Sequence, residues 1–303
     1  MAIPLPTRIA KASLVSKHPE RHRRVRSLPM NCVCPHLPPK VILFHGLLSM
    51  ASEFGLICHP LRRAGIEVVT PTVHGYSHSS IHRSRSWSQW VEAASAIVDE
   101  HTSEGREVYV GGLCTGALVA SALAAAQPRR FKGLVMLSPL MAYDGWSLPW
   151  WYRLRKLAYL LRLDQRLSIP ETEPYGLKNE RMRSWIRQQM AQQGVSDIGP
   201  ARIPLWAVRQ SEKLTAFVST RLSGLQVPVL TLHAKEDEIC SIATARRYLA
   251  AVPQPQHRLV ELQNSYHLIT ADNDRHLVVE EIKRFLRVGA ELSDDTSTKG
   301  CTP

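Results

Sequence analysis

The sequence predicts an α/β protein: a mostly parallel sheet covered by helices, with a helical lid inserted between two of the strands. The first observation is that short, continuous apolar runs alternate with longer segments whose apolar residues recur every three or four positions. Strands buried on both faces and amphipathic crossover helices produce this pattern. The second observation is that the alternation stops near residue 141 and returns near residue 227, which marks the insertion.

Residues 39–140 are predicted to form the first part of the core. The run Val41–Phe44 is apolar throughout, as expected of a strand buried on both faces. The segment Trp87–Thr102 carries apolar residues at helical spacing. By the same criteria, further strands are predicted at Glu67–Thr70, Val108–Val110 and Phe131–Leu137, and further helices at Ala51–Arg63 and Ala117–Ala126.

Residues 141–226 are predicted to form the helical lid. The region begins with a stretch rich in Trp and Leu, and two later segments, Arg181–Gln193 and Leu205–Leu222, have the spacing of amphipathic helices. The core resumes over residues 227–288, with strands predicted at Val227–Leu232 and Arg258–Leu262 and helices at Ser241–Ala251 and Asp274–Arg287. Residues 289–303 are predicted to be a polar tail.

Composition limits the class of protein. The 303 residues carry a formal net charge of +12, and Lys and Arg outnumber acids mainly in residues 1–40 and 141–227. No apolar stretch reaches the roughly 18 residues of a membrane span, and no secretory signal is recognisable, so we expect a cytoplasmic protein without a transmembrane segment. Residues 1–38 are predicted to be a basic, disordered tail. Their arginines lack interleaved aromatic residues, so we expect no nucleic-acid partner.

The six cysteines do not have the arrangement of a disulfide framework in a chain of this length. We expect reduced thiols. Cys32 and Cys34 have no companion Cys or His pair at metal-ligand spacing. Neither a metal ion nor an organic cofactor is therefore expected.

The segment Gly112–Gly116, Gly-Leu-Cys-Thr-Gly, has the pattern of a nucleophile elbow. It follows an apolar run and opens an alanine-rich segment, and strand, tight turn and helix is the context that this motif requires. Small flanking residues allow the strand and helix backbones to approach closely. The middle residue, Cys114, is the candidate nucleophile, and a small buried side chain without a catalytic role is the alternative.

A thiol nucleophile needs a histidine base that is oriented by an acid. In elbow hydrolases these follow in the order nucleophile, acid, histidine. The downstream candidates are the acids Glu236, Asp237 and Glu238 and the histidines His257, His267 and His276. His257 starts a predicted strand and His276 lies in a predicted helix, whereas His267 lies in the loop between them. We predict His267 as the base and Asp237 as the acid, with Glu236 and Glu238 as its competitors.

A tetrahedral intermediate also needs donors to its oxyanion. The backbone N–H of the residue after the nucleophile, Thr115, is one candidate. The loop after the first strand supplies the other, Leu47, which follows His45-Gly46.

These motifs together resemble the α/β-hydrolase superfamily, and most closely its carboxylesterase and monoacylglycerol-lipase-like branch. The resemblance rests on His45-Gly46-Leu47, Gly112–Gly116, His233–Ile239 and Tyr266–Thr270, and it covers about residues 40–288. It implies the α/β-hydrolase fold, a triad of Cys114, His267 and Asp237, and an oxyanion hole from the N–H groups of Leu47 and Thr115. The sequence departs from the usual pattern in having Cys in place of the nucleophilic Ser.

Cysteine changes the expected substrate. Because the acyl-enzyme would itself be a thioester, we expect a hydrolase of acyl thioesters or activated esters, with the lid holding the acyl chain. The basic lid would meet an acidic acyl carrier protein or the phosphates of coenzyme A. Two alternatives stay open: an acyltransferase with the same triad, and a non-catalytic ligand-binding protein of the same fold.

Overall fold

A computed structural model of the chain describes residues 37–80, 85–102, 106–196, 198–253 and 255–297. The predicted tail, apart from its last two residues, lies outside this part of the chain, as do Cys32 and Cys34. Within the described residues, no helix is both long enough and apolar enough to cross a bilayer.

The elements of the first part of the chain are β1 (Lys40–Phe44), α1 (Gly55–Arg63), β2 (Glu67–Val69), α2 (Trp87–His101), β3 (Val108–Leu113), α3 (Thr115–Ala126) and β4 (Gly133–Leu137). They are followed by α4 (Arg155–Leu160), β5 (Ser168–Pro170), α5 (Glu180–Gln193), β6 (Val195–Ser196), β7 (Gly199–Pro200), β8 (Arg202–Pro204), α6 (Leu205–Ser219), β9 (Val229–Ala234), α7 (Ile242–Leu249), β10 (His257–Leu262) and α8 (Arg275–Ser297). Short 3-10 turns precede α1 at Ala51–Phe54 and α4 at Trp150–Leu154.

Six strands form one sheet in the order β10-β9-β4-β3-β1-β2, and every neighbouring pair is parallel. The predicted mostly parallel sheet with flanking helices is confirmed. Since all carboxyl ends of parallel strands lie at one edge of the sheet, the loops after β1, β3, β9 and β10 meet there. These loops carry the predicted site residues.

The two faces of the sheet are covered by different helices. On one face, α2 and α3 pack against the strands, and Trp90 and Leu118 are fully buried there. On the other face, α1 and α8 pack together and bury Ile57 and Ile282. Cys114, between β3 and α3, contacts both hydrophobic layers, because it lies at the carboxyl end of a central strand.

The insertion lies between β4 and β9, which pair directly with each other. It contains α4, α5 and α6, together with two short antiparallel pairs, β5 with β8 and β6 with β7. No strands were predicted in this region. Strands of two or three residues are too short to show the alternation that identifies a strand in sequence.

The last helix is longer than predicted. α8 continues past Arg287 to Ser297, into the region predicted to be a polar tail. The predicted end of this helix at Arg287 was too early, because polarity alone does not end a helix and Ala290, Glu291 and Leu292 have favourable helix propensity. The polar tail over residues 289–303 stays a prediction. Other boundaries differ slightly: β4 and β9 begin later than predicted, and Ala51–Phe54 is a 3-10 turn rather than part of α1.

Candidate active site

Cys114 sits in a strained turn between β3 and α3. Its backbone has φ 56° and ψ −118°, a conformation that costs energy for any residue other than glycine. A Cβ on Gly112 would collide with the backbone of Gly116, and a Cβ on Gly116 would collide with the Phe44 carbonyl oxygen. The two glycines are therefore required where α3, β3 and β1 approach each other, and the turn leaves the Cys114 side chain half-buried.

His267 and Asp237 form a buried pair. The distance from His267 Nδ1 to Asp237 Oδ2 is 2.8 Å, and the two side chains are 6% and 0% exposed. The other carboxylate oxygen of Asp237 accepts the backbone N–H groups of Ile239 and Cys240, both at 2.9 Å. These bonds fix the carboxylate, so that it in turn fixes the tautomer and orientation of the imidazole.

The neighbouring acids have different contacts. Glu236 is solvent-exposed and forms an ion pair with Lys178 at 2.9 Å. Glu238 is buried, and its Oε2 accepts the backbone N–H of His267 at 3.0 Å. Of the three candidates only Asp237 contacts the His267 ring in the described residues, although its catalytic role stays a prediction.

The imidazole and the thiol line the same cavity, whose volume is about 120 Å³. Nε2 of His267 is buried and has no well-formed hydrogen bond among the described residues. Burial alone would lower the pKa of His267, but the charge of the Asp237 carboxylate outweighs it and raises the pKa well above its ordinary value. Burial acts to raise the pKa of Asp237, but the charge of His267 more than offsets burial and lowers that pKa. The Asp237 carboxylate therefore makes the imidazole a stronger base.

The loop after β1 places Leu47 beside the elbow. A Cβ on Gly46 would lie 3.6 Å from Cys114 Cβ. Among the described residues, the neighbouring N–H groups already have acceptors: Gly46 donates to Glu53 Oε1 at 2.6 Å, Leu48 to the Tyr76 carbonyl at 2.7 Å, and Ser49 to the Gly46 carbonyl at 3.2 Å. Leu47 N–H has no acceptor among the described residues, and its role as an oxyanion donor stays a prediction.

His45 holds the same loop in place. Its Nε2 accepts the Val73 N–H at 3.1 Å, and its Nδ1 lies 2.8 Å from the Gly46 carbonyl oxygen, to which it donates. Burial lowers the pKa of His45 to about 4, so the ring is neutral. Thr115, the second predicted oxyanion donor, is fully buried in the first turn of α3.

Three glutamates that sequence reasoning did not assign to the site also line the cavity: Glu53, Glu171 and Glu238. Burial raises the pKa of Glu53 to about 8 and that of Glu171 to about 7. Burial and then the charge of Asp237 raise the pKa of Glu238 to about 7. No sequence pattern marks Glu53 or Glu171, because whether a carboxyl is buried depends on distant segments. Glu238 was weighed only as a competitor of Asp237.

Similarity to known proteins agrees with the fold. A family model described as serine aminopeptidase, S33, matches residues 36–274. The chain is 21% identical over 258 residues to a thermostable monoacylglycerol lipase of Bacillus sp. (strain H-257), covering 82% of this chain and 90% of the relative.

Two solved structures share the fold at low sequence identity. The monoacylglycerol lipase of Paleococcus ferrophilus has a TM-score of 0.67 at 20% identity, over 84% of this chain and 97% of that one. The thioesterase domain from the curacin biosynthetic pathway has a TM-score of 0.55 at 16% identity, over 83% and 91%. The family match confirms the resemblance to the α/β-hydrolase superfamily and the prediction of a hydrolase. The chain belongs to the serine aminopeptidase S33 family of α/β-fold hydrolases.

Proposed function

We propose that this protein hydrolyses acyl thioesters or other activated esters through an acyl-enzyme on Cys114. Ester hydrolysis is the reaction class that the family and its lipase relatives support. The finer proposal rests on one observation. Cys114 and His267 line the same cavity, and Asp237 Oδ2 lies 2.8 Å from Nδ1 of His267.

The proposed reaction has two halves. In the first, His267 takes the thiol proton and the Cys114 sulfur attacks the substrate carbonyl, while the N–H groups of Leu47 and Thr115 stabilise the oxyanion. The intermediate then expels the leaving thiol or alcohol, which takes the proton from His267. In the second half, His267 removes a proton from water, and the hydroxide attacks the acyl-cysteine. Collapse of this second tetrahedral intermediate releases the carboxylic acid, and the proton on His267 returns to the sulfur of Cys114.

Cysteine favours thioester substrates for an energetic reason. Acyl transfer from a thioester to Cys114 exchanges one C–S bond for another, so the step is nearly isoenergetic. Transfer from an alkyl ester replaces a more stable oxygen ester by a thioester. The same fold in a thioesterase domain is compatible with this proposal. We also predict that the acyl group is carried by an acidic carrier protein or by coenzyme A. This prediction rests on the basic composition of the insertion.

The test is to trap the acyl-enzyme. Protein is mixed with a medium-chain acyl-coenzyme A, quenched within one turnover and digested for mass spectrometry. We expect the acyl mass on Cys114 and not on Cys58 or Cys240, which are 6% and 0% exposed and so serve as internal controls. Cys114→Ala should form no adduct. Cys114→Ser should turn over matched oxygen esters in preference to thioesters.

Four results would count against the proposal. An adduct on another cysteine, or unchanged turnover in Cys114→Ala, would remove Cys114 as the nucleophile. Transfer of the acyl group to an added alcohol in place of water would identify the acyltransferase alternative. Tight binding of the thioester with neither adduct nor turnover would identify the ligand-binding alternative.

A further inference from the structure

The insertion presents apolar side chains to solvent over residues 146–167, named here the cap patch. Nine of the thirteen exposed large hydrophobic side chains recorded for the described residues lie in it. They include Trp150, Trp151, Leu154, Leu157, Leu160 and Leu161. Trp150 and Leu160 are each 78% exposed. A concentration of this kind on the surface of a protein marks an interaction site.

Most of these side chains lie outside the buried core. Helix α4, in the middle of the cap patch, buries none of its residues. The segment is anchored from beneath: Tyr152 is buried against Leu205 and Val208 of α6, and Arg155 forms an ion pair with Glu212 at 2.7 Å. The patch is therefore fixed to the insertion while most of its large apolar side chains face solvent.

The exposed charges of the cap patch are all positive. Arg153, Lys156, Arg162 and Arg166 are exposed. The single acid of residues 146–167, Asp164, is 4% exposed and pairs with Arg209 at 3.0 Å. Tryptophan and leucine interleaved with cations is the composition of segments that lie in the headgroup region of an anionic bilayer.

A second cavity lies next to the catalytic cavity. Its volume is about 80 Å³, and its lining includes Leu148 and Trp151 of the cap patch. Glu171, Glu238 and Ile239 line both this cavity and the one that contains Cys114 and His267. These shared residues place the cap patch close to the catalytic cavity.

We propose that the cap patch docks on an anionic lipid surface and that the hydrolase takes its acyl substrate from that surface. The substrate part rests on the proposed function, whereas the docking does not. A symmetric contact with a second copy would bring the patch cations of one chain against those of the other. Recognition of an acidic carrier protein would use the cations but leave the larger set of tryptophan and leucine side chains unused. A lipid surface would use both the cations and the apolar side chains of the cap patch.

The test is sedimentation with vesicles of phosphatidylcholine alone or with 30% phosphatidylglycerol. We expect wild-type protein to bind the anionic vesicles at least tenfold more tightly, since each cation near such a surface contributes about fivefold. Trp150→Ala with Leu160→Ala should weaken binding by about tenfold or more. Arg153→Glu with Arg162→Glu should abolish the preference for phosphatidylglycerol.

Matched controls lie elsewhere on the surface. Trp185 on α5 and Leu277 on α8 are 44% and 42% exposed, and Trp185→Ala with Leu277→Ala should bind vesicles as wild type does. All variants should hydrolyse a water-soluble short-chain thioester within about twofold of wild type, which shows that they are folded. With a long-chain thioester embedded in anionic vesicles, only the cap-patch variants should lose turnover.

The outcomes separate docking from catalysis. Wild-type vesicle binding without any turnover would leave docking standing and overturn the proposed function. Equal vesicle binding by wild type and the Trp150/Leu160 variant would overturn docking while leaving the hydrolase proposal intact. Docking would also be overturned by a dimer that dissociates in that variant, or by binding to an acidic carrier protein and not to vesicles.

Discussion

Helices α3 and α4 are both rich in apolar residues, and the structure uses them in opposite ways. The apolar side chains of α3, such as Leu118 and Val119, are fully buried beneath the elbow. Those of α4, such as Leu157 and Leu160, face solvent at 54% and 78% exposure. The difference shows that α3 stabilises the scaffold that holds Cys114, whereas the leucines of α4 contribute little to the buried core.

The largest loss of stability is expected at Gly116 in the elbow. Gly116→Ala places a Cβ against the Phe44 carbonyl oxygen, and backbone cannot give way as a side chain can. We expect the free energy of unfolding to fall by more than about 4 kcal/mol, measured by urea denaturation. Gly224→Ala, in the insertion with nothing within 4 Å of the added Cβ, should cost less than about 1 kcal/mol. Equal costs at the two glycines would contradict this account of the elbow.

A smaller effect is expected at Glu53, the buried carboxyl of the scaffold. Burial raises its pKa to about 8, whereas the unfolded chain releases this proton near about 4.3. Between these two pH values the folded state holds a proton that the unfolded chain has released. The free energy of unfolding therefore falls as pH rises through this window. Glu53→Gln keeps an acceptor for the Gly46 N–H and removes the titration. Its loss of stability from pH 5 to pH 8 should be smaller than that of wild type by on the order of 3 kcal/mol.

The matched control for this prediction is Glu236→Gln. The Glu236 side chain is 52% exposed, so this variant makes the same substitution at a carboxyl outside the buried cavity. Urea denaturation at pH 5 and pH 8 compares all three proteins. Parallel profiles for wild type and Glu53→Gln would show that the buried carboxyl does not hold its proton in the folded state.

The smallest effect is expected at the cap patch. Leu160→Ala shortens a side chain that is 78% exposed, and the free energy of unfolding should change by less than about 0.5 kcal/mol. The same substitution in α3, Leu118→Ala, should cost about 2–5 kcal/mol because it leaves a cavity in the core. Thermal denaturation of the two variants measures the contrast. A large cost for Leu160→Ala would mean that α4 contributes to folding after all.

The sequence predicted those features that depend on local pattern. The elbow could be recognised because its glycines, its preceding apolar run and its following helix are contiguous in the chain. The parallel sheet could be predicted because burial on both faces of a strand leaves a continuous apolar run. His267 was favoured over His257 and His276 by its place in a loop between predicted elements. The catalytic roles of these residues stay predictions.

The tertiary structure decided what depends on segments far apart in sequence. The sequence favours Asp237 without excluding Glu236 or Glu238, whereas in the fold the turn through Ile239 and Cys240 directs the Asp237 carboxylate toward His267 and leaves Glu236 in solvent. Only the fold buries Glu53 beside the elbow and leaves the leucines of α4 uncovered. Apolar periodicity specifies that a face can be buried, but long-range packing determines whether a partner from the same chain covers it.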